Sequence, residues 1–424
     1  MSTGTDRKDA VSTQNWMTDG RLHLGVGIED TFVPQERVGG RGIDEYALTQ
    51  HYEHWREDLD LAAEAGAEYL RWGIPWYLVE PRPGEFDWRW IDQVAEHSRS
   101  IGLRVVVDLM HYGTPLWLEN QFLNASYPER VAAYARAVAE RYAGTWDDFT
   151  PLNEPAINAE YCGERGIWPP YLSGQDGWVK IMMALTRGMV RTQQEILTVN
   201  PSARIVSVDA GFRWEGEGLP LSRAILDERR FLSLDLTMGR VDDVHPLYGY
   251  LTGHGVTDAD LAWFRENAVV PDVIGVNYYP GFTTVRYDDG KTVPVEAGTH
   301  GLRELLTLHV ERYGIPVAVT ETSRGGSVES RVEWLGESIA EIEALRAEGL
   351  PVVGYTWFPF FTLVDWLYRH DLKTPDEWFI HMGLVDLERG PDRVLARRRT
   401  VAFDRYRELC ARVREAEPAA HGAR

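Results

Sequence analysis

The feature that most limits what this chain can become is an alternation. Short runs of β-branched and apolar residues at 22–29, 68–73, 104–110, 147–153, 203–209, 272–277, 316–321 and 351–357 are separated by longer stretches with helical spacing. Runs this short and this continuously apolar suit strands of a parallel sheet, buried on both faces. Between them, 52–65, 132–142, 177–197, 301–313, 330–347 and 394–414 set apolar residues three and four apart and are dense in helix formers. Gly66, Gly102 and Gly349 stand just past helix ends, where a left-handed cap is expected. The pattern predicts an α/β fold, a single (β/α)8 TIM barrel over residues 21–417. A polar lead-in at 1–20 is expected to be disordered and a tail at 418–424 to fray. A doubly wound sheet has the same alternation, but its phosphate turn is missing: Gly25-Val26-Gly27 lacks a third glycine and a following helix.

Four connections are long, at 155–176, 211–221, 278–300 and 358–392, and each follows a strand. In a barrel such loops build the carboxyl-terminal mouth, which is where chemistry is expected. The net charge of −21 argues against nucleic acid and anionic lipid as partners. Two cysteines exclude a disulfide framework, and no CxxC pair offers zinc a site. No apolar run approaches membrane-spanning length, and the first residues carry no apolar signal core, so a cytoplasmic protein is expected. His51 and His54 share a helix start without a third ligand beside them, which points to a solvated or capping role rather than a metal. The 16 tryptophans suit a core, and equally a site where sugar C–H faces stack on indole.

Two glutamates fall where a strand meets the mouth. One run ends in Asn153-Glu154-Pro155 and another in Glu321-Thr322, with Pro155 expected to block a helix after the first acid. Paired carboxylates suit glycoside hydrolysis, one protonated to serve the leaving oxygen and the other ionised to attack the anomeric carbon.

Several ordered segments carry a resemblance. They are Tyr69-Leu70-Arg71-Trp72-Gly73-Ile74-Pro75-Trp76, Asp108 to Tyr112 with Pro115-Leu116-Trp117-Leu118, and Thr150 to Pro155. Asp272 to Pro280 (DVIGVNYYP), Val319 to Ser323, Gly354 to Trp366 and Met382 to Asp386 follow in the same order. Together they resemble glycoside hydrolase family 1, the β-glucosidase and β-galactosidase family, over residues 22–415. The resemblance implies a retaining β-glycosidase acting on a small glycoside, without metal or organic cofactor. It implies Glu154 as acid/base and Glu321 as nucleophile. Arg71 and Tyr279 would hold Glu321, Asn153 would bond the sugar 2-hydroxyl, and Asn277 would support the pair. His111, Trp357, Asp365, Trp366 and Glu29 would bind the sugar.

The departures concern the sugar. The family's first strand ends in QIEG, whereas this one reads Gly27-Ile28-Glu29-Asp30, without the glutamine. HW is replaced by His111-Tyr112, and FEW by Val364-Asp365-Trp366, one methylene shorter at the acid. A kept catalytic pair inside an altered sugar-reading shell predicts a non-standard glycone. Two rivals stand beside hydrolysis: transglycosylation or tailoring of a glycosylated metabolite, and a non-catalytic sugar-binding barrel. Oligomeric state does not follow from the sequence.

Overall fold

The computed structural model of the chain describes residues 16–35, 40–217, 219, 221–288 and 291–416. Eight parallel strands close into a barrel: β1 (His23–Gly27), β2 (Tyr69–Gly73), β3 (Arg104–Asp108), β4 (Asp148–Thr150), β5 (Arg204–Ala210), β6 (Val273–Asn277), β7 (Val317–Thr322) and β8 (Val352–Trp357). Neighbours in sequence are neighbours in the ring, and β1 closes it against β8, with His23 opposite Gly354 and Val26 opposite Trp357. The architecture is the (β/α)8 barrel expected from the alternation.

Side chains alternate between helix-facing and axis-facing positions, as the pleat requires. On β2, Leu70 and Trp72 pack outward with the main core, while Tyr69 joins the cluster inside the barrel and Arg71 follows one layer higher. On β3, Val105 and Val107 face out, and Val106 and Asp108 face in. The lower interior is therefore apolar and the upper interior charged.

The lower cluster also contains Trp16 and Met17, which are 8% and 4% exposed. The Trp16 indole N–H donates to Asp148 Oδ2 at 2.9 Å, and the Arg104 guanidinium lies 4.2 Å from its ring centroid. The expected lead-in is thus too long: Trp16 and Met17 belong to the barrel, because the strand bottoms leave an apolar opening that these two side chains fill. The expectations for 1–15 and for the tail at 418–424 lie outside the described residues.

The long helices are α1 (His51–Glu64), α2 (Arg89–Ser100), α3 (Tyr127–Arg141), α4 (Gly174–Val199), α5 (Gly298–Tyr313), α6 (Val328–Ala347) and α7 (Val401–Ala416). Gly102 marks the end of α2, a helix for which the sequence pattern yields no range although Ile91, Val94, Ala95 and Ser98 form a regular buried stripe. The helix expected over 394–414 begins only at Val401, because Leu395–Arg399 pairs antiparallel with Val385–Arg389 and alternates accordingly. His51 is fully buried rather than solvated: Asp58 Oδ2 lies 2.7 Å from its Nδ1, and the Trp72 indole donates to its Nε2 at 3.0 Å.

The long connections are partly ordered into sheets of their own. Arg213–Glu215, after β5, pairs with Thr284–Asp288, after β6, which pairs in turn with Lys291–Val295. After β8, Leu363–Val364 pairs with Phe379–Ile380. These braces fix the loops that rise over the strand ends.

Candidate active site

A cavity of about 350 Å³ opens at the carboxyl ends of the strands, lined by residues at or beyond the ends of β1, β3, β4, β5, β6, β7 and β8. Glu154 and Glu321 both line it, and both are nearly buried, at 7% and 4% exposure. Glu154 has a left-handed backbone, φ +42°, and its amide donates to Val208 O at 3.1 Å. Pro155 does not block a helix there. It opens the short helix Pro155–Asn158 at a first-turn position, where a missing N–H costs nothing.

The two acids stand in different surroundings. Glu321 accepts from Arg71 Nη1 and, at 2.7 Å, from the Tyr279 hydroxyl. Burial raises its carboxyl above the ordinary range, while Arg71 and Tyr279 stabilise the ionised form. Glu154 has neutral partners: the Tyr112 hydroxyl lies 2.5 Å from Oε2, and Asn277 Nδ2 donates to Oε1 at 2.9 Å. Burial first, and then the charge of Glu321, push its carboxyl up to about 8. Two carboxyls in one pocket cannot both ionise cheaply, and the one without a guanidinium keeps the proton.

Arg71 fixes the direction of the hydrogen bonds around the pair, because a guanidinium can only donate. Its Nη2 donates to Asp108 Oδ2 at 2.5 Å and to Asn153 Oδ1 at 2.7 Å. Asn153 therefore turns its Oδ1 to Arg71 and to Asn277 Nδ2, at 3.3 Å, and its Nδ2 to His111 Nε2 at 2.7 Å. His111 Nδ1 lies 2.7 Å from Asp30 Oδ1, and against the effect of burial the carboxylates of Asp30, Asp108 and Glu29 hold the imidazole well above its ordinary range. Burial pushes Asp30 up to about 6, with His111 opposing. With Asn153 Oδ1 fixed by Arg71, Asn277 turns its Nδ2 to Asn153 and to Glu154, and its Oδ1 accepts from Thr320 Oγ1 at 2.7 Å.

The expected sugar-binding residues divide. His111, Glu29, Asp365 and Trp366 line the cavity. Glu29 Oε1 accepts from the Thr31 amide at 3.0 Å, and Asp365 Oδ1 caps the next turn through the Leu367 amide at 2.8 Å. Asn153 is fully buried and engaged by Arg71, His111 and Asn277, so it orients neighbours rather than lining the cavity. Trp357, expected in the sugar platform, lies outside the cavity: it is 0% exposed and donates to Met382 O at 3.1 Å. The reason is the pleat. Gly354 and Thr356 face the barrel axis, so Trp357 faces the helices and Phe358 returns inward. Phe358 lies 5.3 Å from the Arg71 guanidinium and stacks at 6.2 Å on His111. A Cβ on Gly27 would lie 2.3 Å from the Phe358 ring, so the ring stands where a side chain at position 27 would begin.

Sequence reasoning missed the rest of the wall. Trp168 lies 5.1 Å from both Tyr112 and Trp366, and Tyr161 lies 4.6 Å from Trp168. Ile157, Ile167, Phe212, Phe282, Leu367, Ile380 and Met382 continue this apolar side. The signal for Tyr112 was present, as a phenol in place of an indole beside a strand-end histidine, but its contact depends on a backbone turn that no pattern reveals. For metals, the described residues contain two trios of suitable groups, Asp30-Asp108-His111 and Glu228-Asp235-His245. Arg71 already donates to Asp108, and Arg312 to Glu228 and Asp235.

A family model for β-galactosidase, glycoside hydrolase family 42, matches residues 46–144. A 6-phospho-β-glucosidase of Clostridium longisporum is 22% identical over 85% of this chain and 85% of its own. A phospho-cellobiase of Klebsiella oxytoca is 24% identical over 89% of each chain. Among solved structures, a family 1 β-glucosidase from Thermotoga maritima superposes with a TM-score of 0.75 at 18% identity, covering 93% of this chain and 98% of that one. No helix among the described residues is long and apolar enough to cross a membrane.

Proposed function

We propose, taking the chain as a divergent glycoside hydrolase related to the family 1 enzymes, that it is a retaining β-glycosidase with Glu154 as acid/base and Glu321 as nucleophile. One observation carries the reading: two buried glutamates face one cavity, one held by a guanidinium and a phenol, the other by neutral groups with its carboxyl up at about 8. In the first step Glu321 bonds to the anomeric carbon as the bond to the leaving oxygen breaks. The Glu154 proton passes to that oxygen, and the aglycone departs. In the second step a water attacks the same carbon, its proton passes to Glu154, and Glu321 is released. Glu154 is neutral before the first step and ionised before the second, which suits a carboxyl titrating near neutrality.

The glycone is neutral and not glucose. Gly27 supplies no amide to grip ring hydroxyls, and Phe358 occupies that space. Asp365 is short and partly committed to its own turn. What remains at this end accepts rather than donates: the carboxylates of Glu29 and Asp365. A 6-phosphate, which the names of the phospho-glycosidase relatives suggest, would meet these carboxylates. Of the basic groups lining the cavity, Arg165 is within 3.3 Å of Glu160 and His111 is within 2.7 Å of Asp30. The apolar wall suits an aromatic or otherwise bulky aglycone. It equally favours transfer to an apolar acceptor in place of water, by the same intermediate.

The test is a panel of 2,4-dinitrophenyl glycosides differing only in the sugar: gluco, galacto, 6-phospho, amino and deoxy, in both anomeric forms. Turnover is expected for β-configured substrates, with a neutral modified or deoxy sugar preferred over glucose and over its 6-phosphate, and the β-anomer formed first by proton NMR. No cleavage of any member would leave a sugar-binding barrel, and an α-anomer formed first would exclude retention.

A further inference from the structure

We infer that Tyr112 is the positioning residue of the acid/base, holding Glu154 through its Oε2 in both charge states. This rests on Glu154 having the role given above. Three observations carry it. The first is the hydrogen-bond direction running out from Arg71. Because Arg71 only donates, Asn153 and then Asn277 have one orientation each, and Glu154 Oε1 always receives the Asn277 N–H. An oxygen already accepting in this way is the poorer place for the acid proton, so the proton belongs on Oε2.

The second is that Oε2 faces the Tyr112 hydroxyl at 2.5 Å. A phenol oxygen both accepts and donates, whereas a guanidinium nitrogen or an amide nitrogen only donates. When Glu154 is protonated, the Oε2–H donates to Tyr112 Oη. When Glu154 has given its proton to the leaving oxygen, the phenol rotates and donates its own hydrogen to the carboxylate. Tyr112 stays neutral throughout, and burial together with Glu154 and Glu321 keeps its hydroxyl well above the ordinary phenol range.

The third is how firmly the ring is held. Tyr112 has φ +80°, an uncommon conformation for a residue with a side chain. The turn is pinned by Asn158 Nδ2 donating to Tyr112 O at 3.2 Å and by the Phe32 amide donating to His111 O at 3.0 Å. Gly113 follows, where a Cβ would lie 2.4 Å from Phe32 O. The ring packs edge-on to His111 at 4.8 Å and to Trp366 at 5.5 Å. Backbone strain beside an acid that itself has φ +42° marks a built arrangement rather than a loose loop.

The ionisable groups facing Glu154 come from every surrounding element: Glu321 from β7, His111 and Tyr112 after β3, Tyr161 after β4 and Tyr279 after β6. Glu29, after β1, acts on the two phenols Tyr112 and Tyr279. Asp209 of β5, near Ala156, is engaged by Ser233 and by two amides. Among these groups Tyr112 is the one that both contacts Glu154 and can exchange donor for acceptor.

The variant is Tyr112→Phe, which keeps the ring and its packing. Losing the donor weakens Glu154 as an acid, so the basic limb of the kcat/KM–pH profile should move to higher pH while the acidic limb stays. Substrates with poor leaving groups should lose about tenfold to a hundredfold, the worth of a hydrogen bond to a charged group, and dinitrophenyl glycosides much less. Infrared titration of the free protein, taken as a difference from Glu154→Gln, reads the same carboxyl without turnover and should show the same upward shift. An unmoved basic limb and an unmoved infrared titration would overturn the inference, as would a uniform loss across all leaving groups. If no activated glycoside is cleaved but the infrared shift appears, the hydrolytic reading fails and the pairing stands.

Discussion

At the scale of single residues, this site sets chemistry against stability. In the proposed mechanism Glu154 is neutral at one moment and charged at another, yet it is almost wholly enclosed. Its carboxyl, 4.5 ordinarily, is lifted to about 8 in the fold. A raised acid binds its proton more tightly folded than unfolded, so it costs nothing at low pH and costs progressively more as pH rises between those values. Glutamine has the shape and the hydrogen-bond polarity to replace it: its Oε1 can accept from Asn277 and its amide can donate to Tyr112. Glu154→Gln should therefore match the parent in stability at pH 5 and exceed it by up to roughly 4 kcal/mol at pH 9, with activity lost. Thermal unfolding at the two pH values checks this, and an advantage that does not grow with pH would contradict it.

At the scale of elements, the lower barrel depends on two residues outside any strand. Trp16 inserts its ring beneath Tyr69 and ties its indole to Asp148, itself in ion contact with Arg204. Trp16→Ala empties a large apolar volume and should cost about 3–5 kcal/mol. It should leave kcat almost unchanged, because the cavity with the proposed catalytic pair lies at the opposite end of the strands. Urea titration beside an activity assay separates the two effects. This plug was illegible in the sequence, since one tryptophan in a polar stretch has no periodicity. The strands were legible because burial on both faces forces continuous apolar runs, and the placement of Glu154 and Glu321 at the cavity was legible because each falls where a barrel strand ends. Trp357 shows where that reading stops. A shift of one residue exchanges the two faces of a strand, so a motif matched one position out puts an indole among the helices and Phe358 beside Arg71.

At the scale of the whole molecule, the last elements lock onto the first. The Arg397 guanidinium reaches Asp58 of α1 through two bonds, at 2.8 and 3.0 Å, and also the carbonyls of Thr49 and Gln50. The Tyr406 hydroxyl of α7 donates to Gly25 O of β1 at 2.7 Å. Burial would raise Asp58, but His51 and Arg397 hold it below the ordinary range. A depressed carboxyl contributes stability that is present above its unfolded value and is lost as pH falls through the folded one. Arg397→Ala leaves a buried charge unpaired and should cost about 3–5 kcal/mol at pH 7. The deficit should shrink below about pH 4, as the parent loses the same contribution. Denaturation midpoints across that range measure it, and a deficit independent of pH would rule it out.

Ring closure also dictates when this protein can come into being on the ribosome. One neighbour of β1 is β2, which follows it closely in the chain, but the other is β8, about 325 residues later. At about 5–20 residues per second, tens of seconds pass before that strand is made, and the clasp residues Arg397 and Tyr406 come later still. Throughout that interval the nascent chain has an open sheet edge, and Glu321 joins Glu154 and Arg71 only late in it. Glu154 and Glu321 therefore come to share one cavity only after most of the barrel has been made.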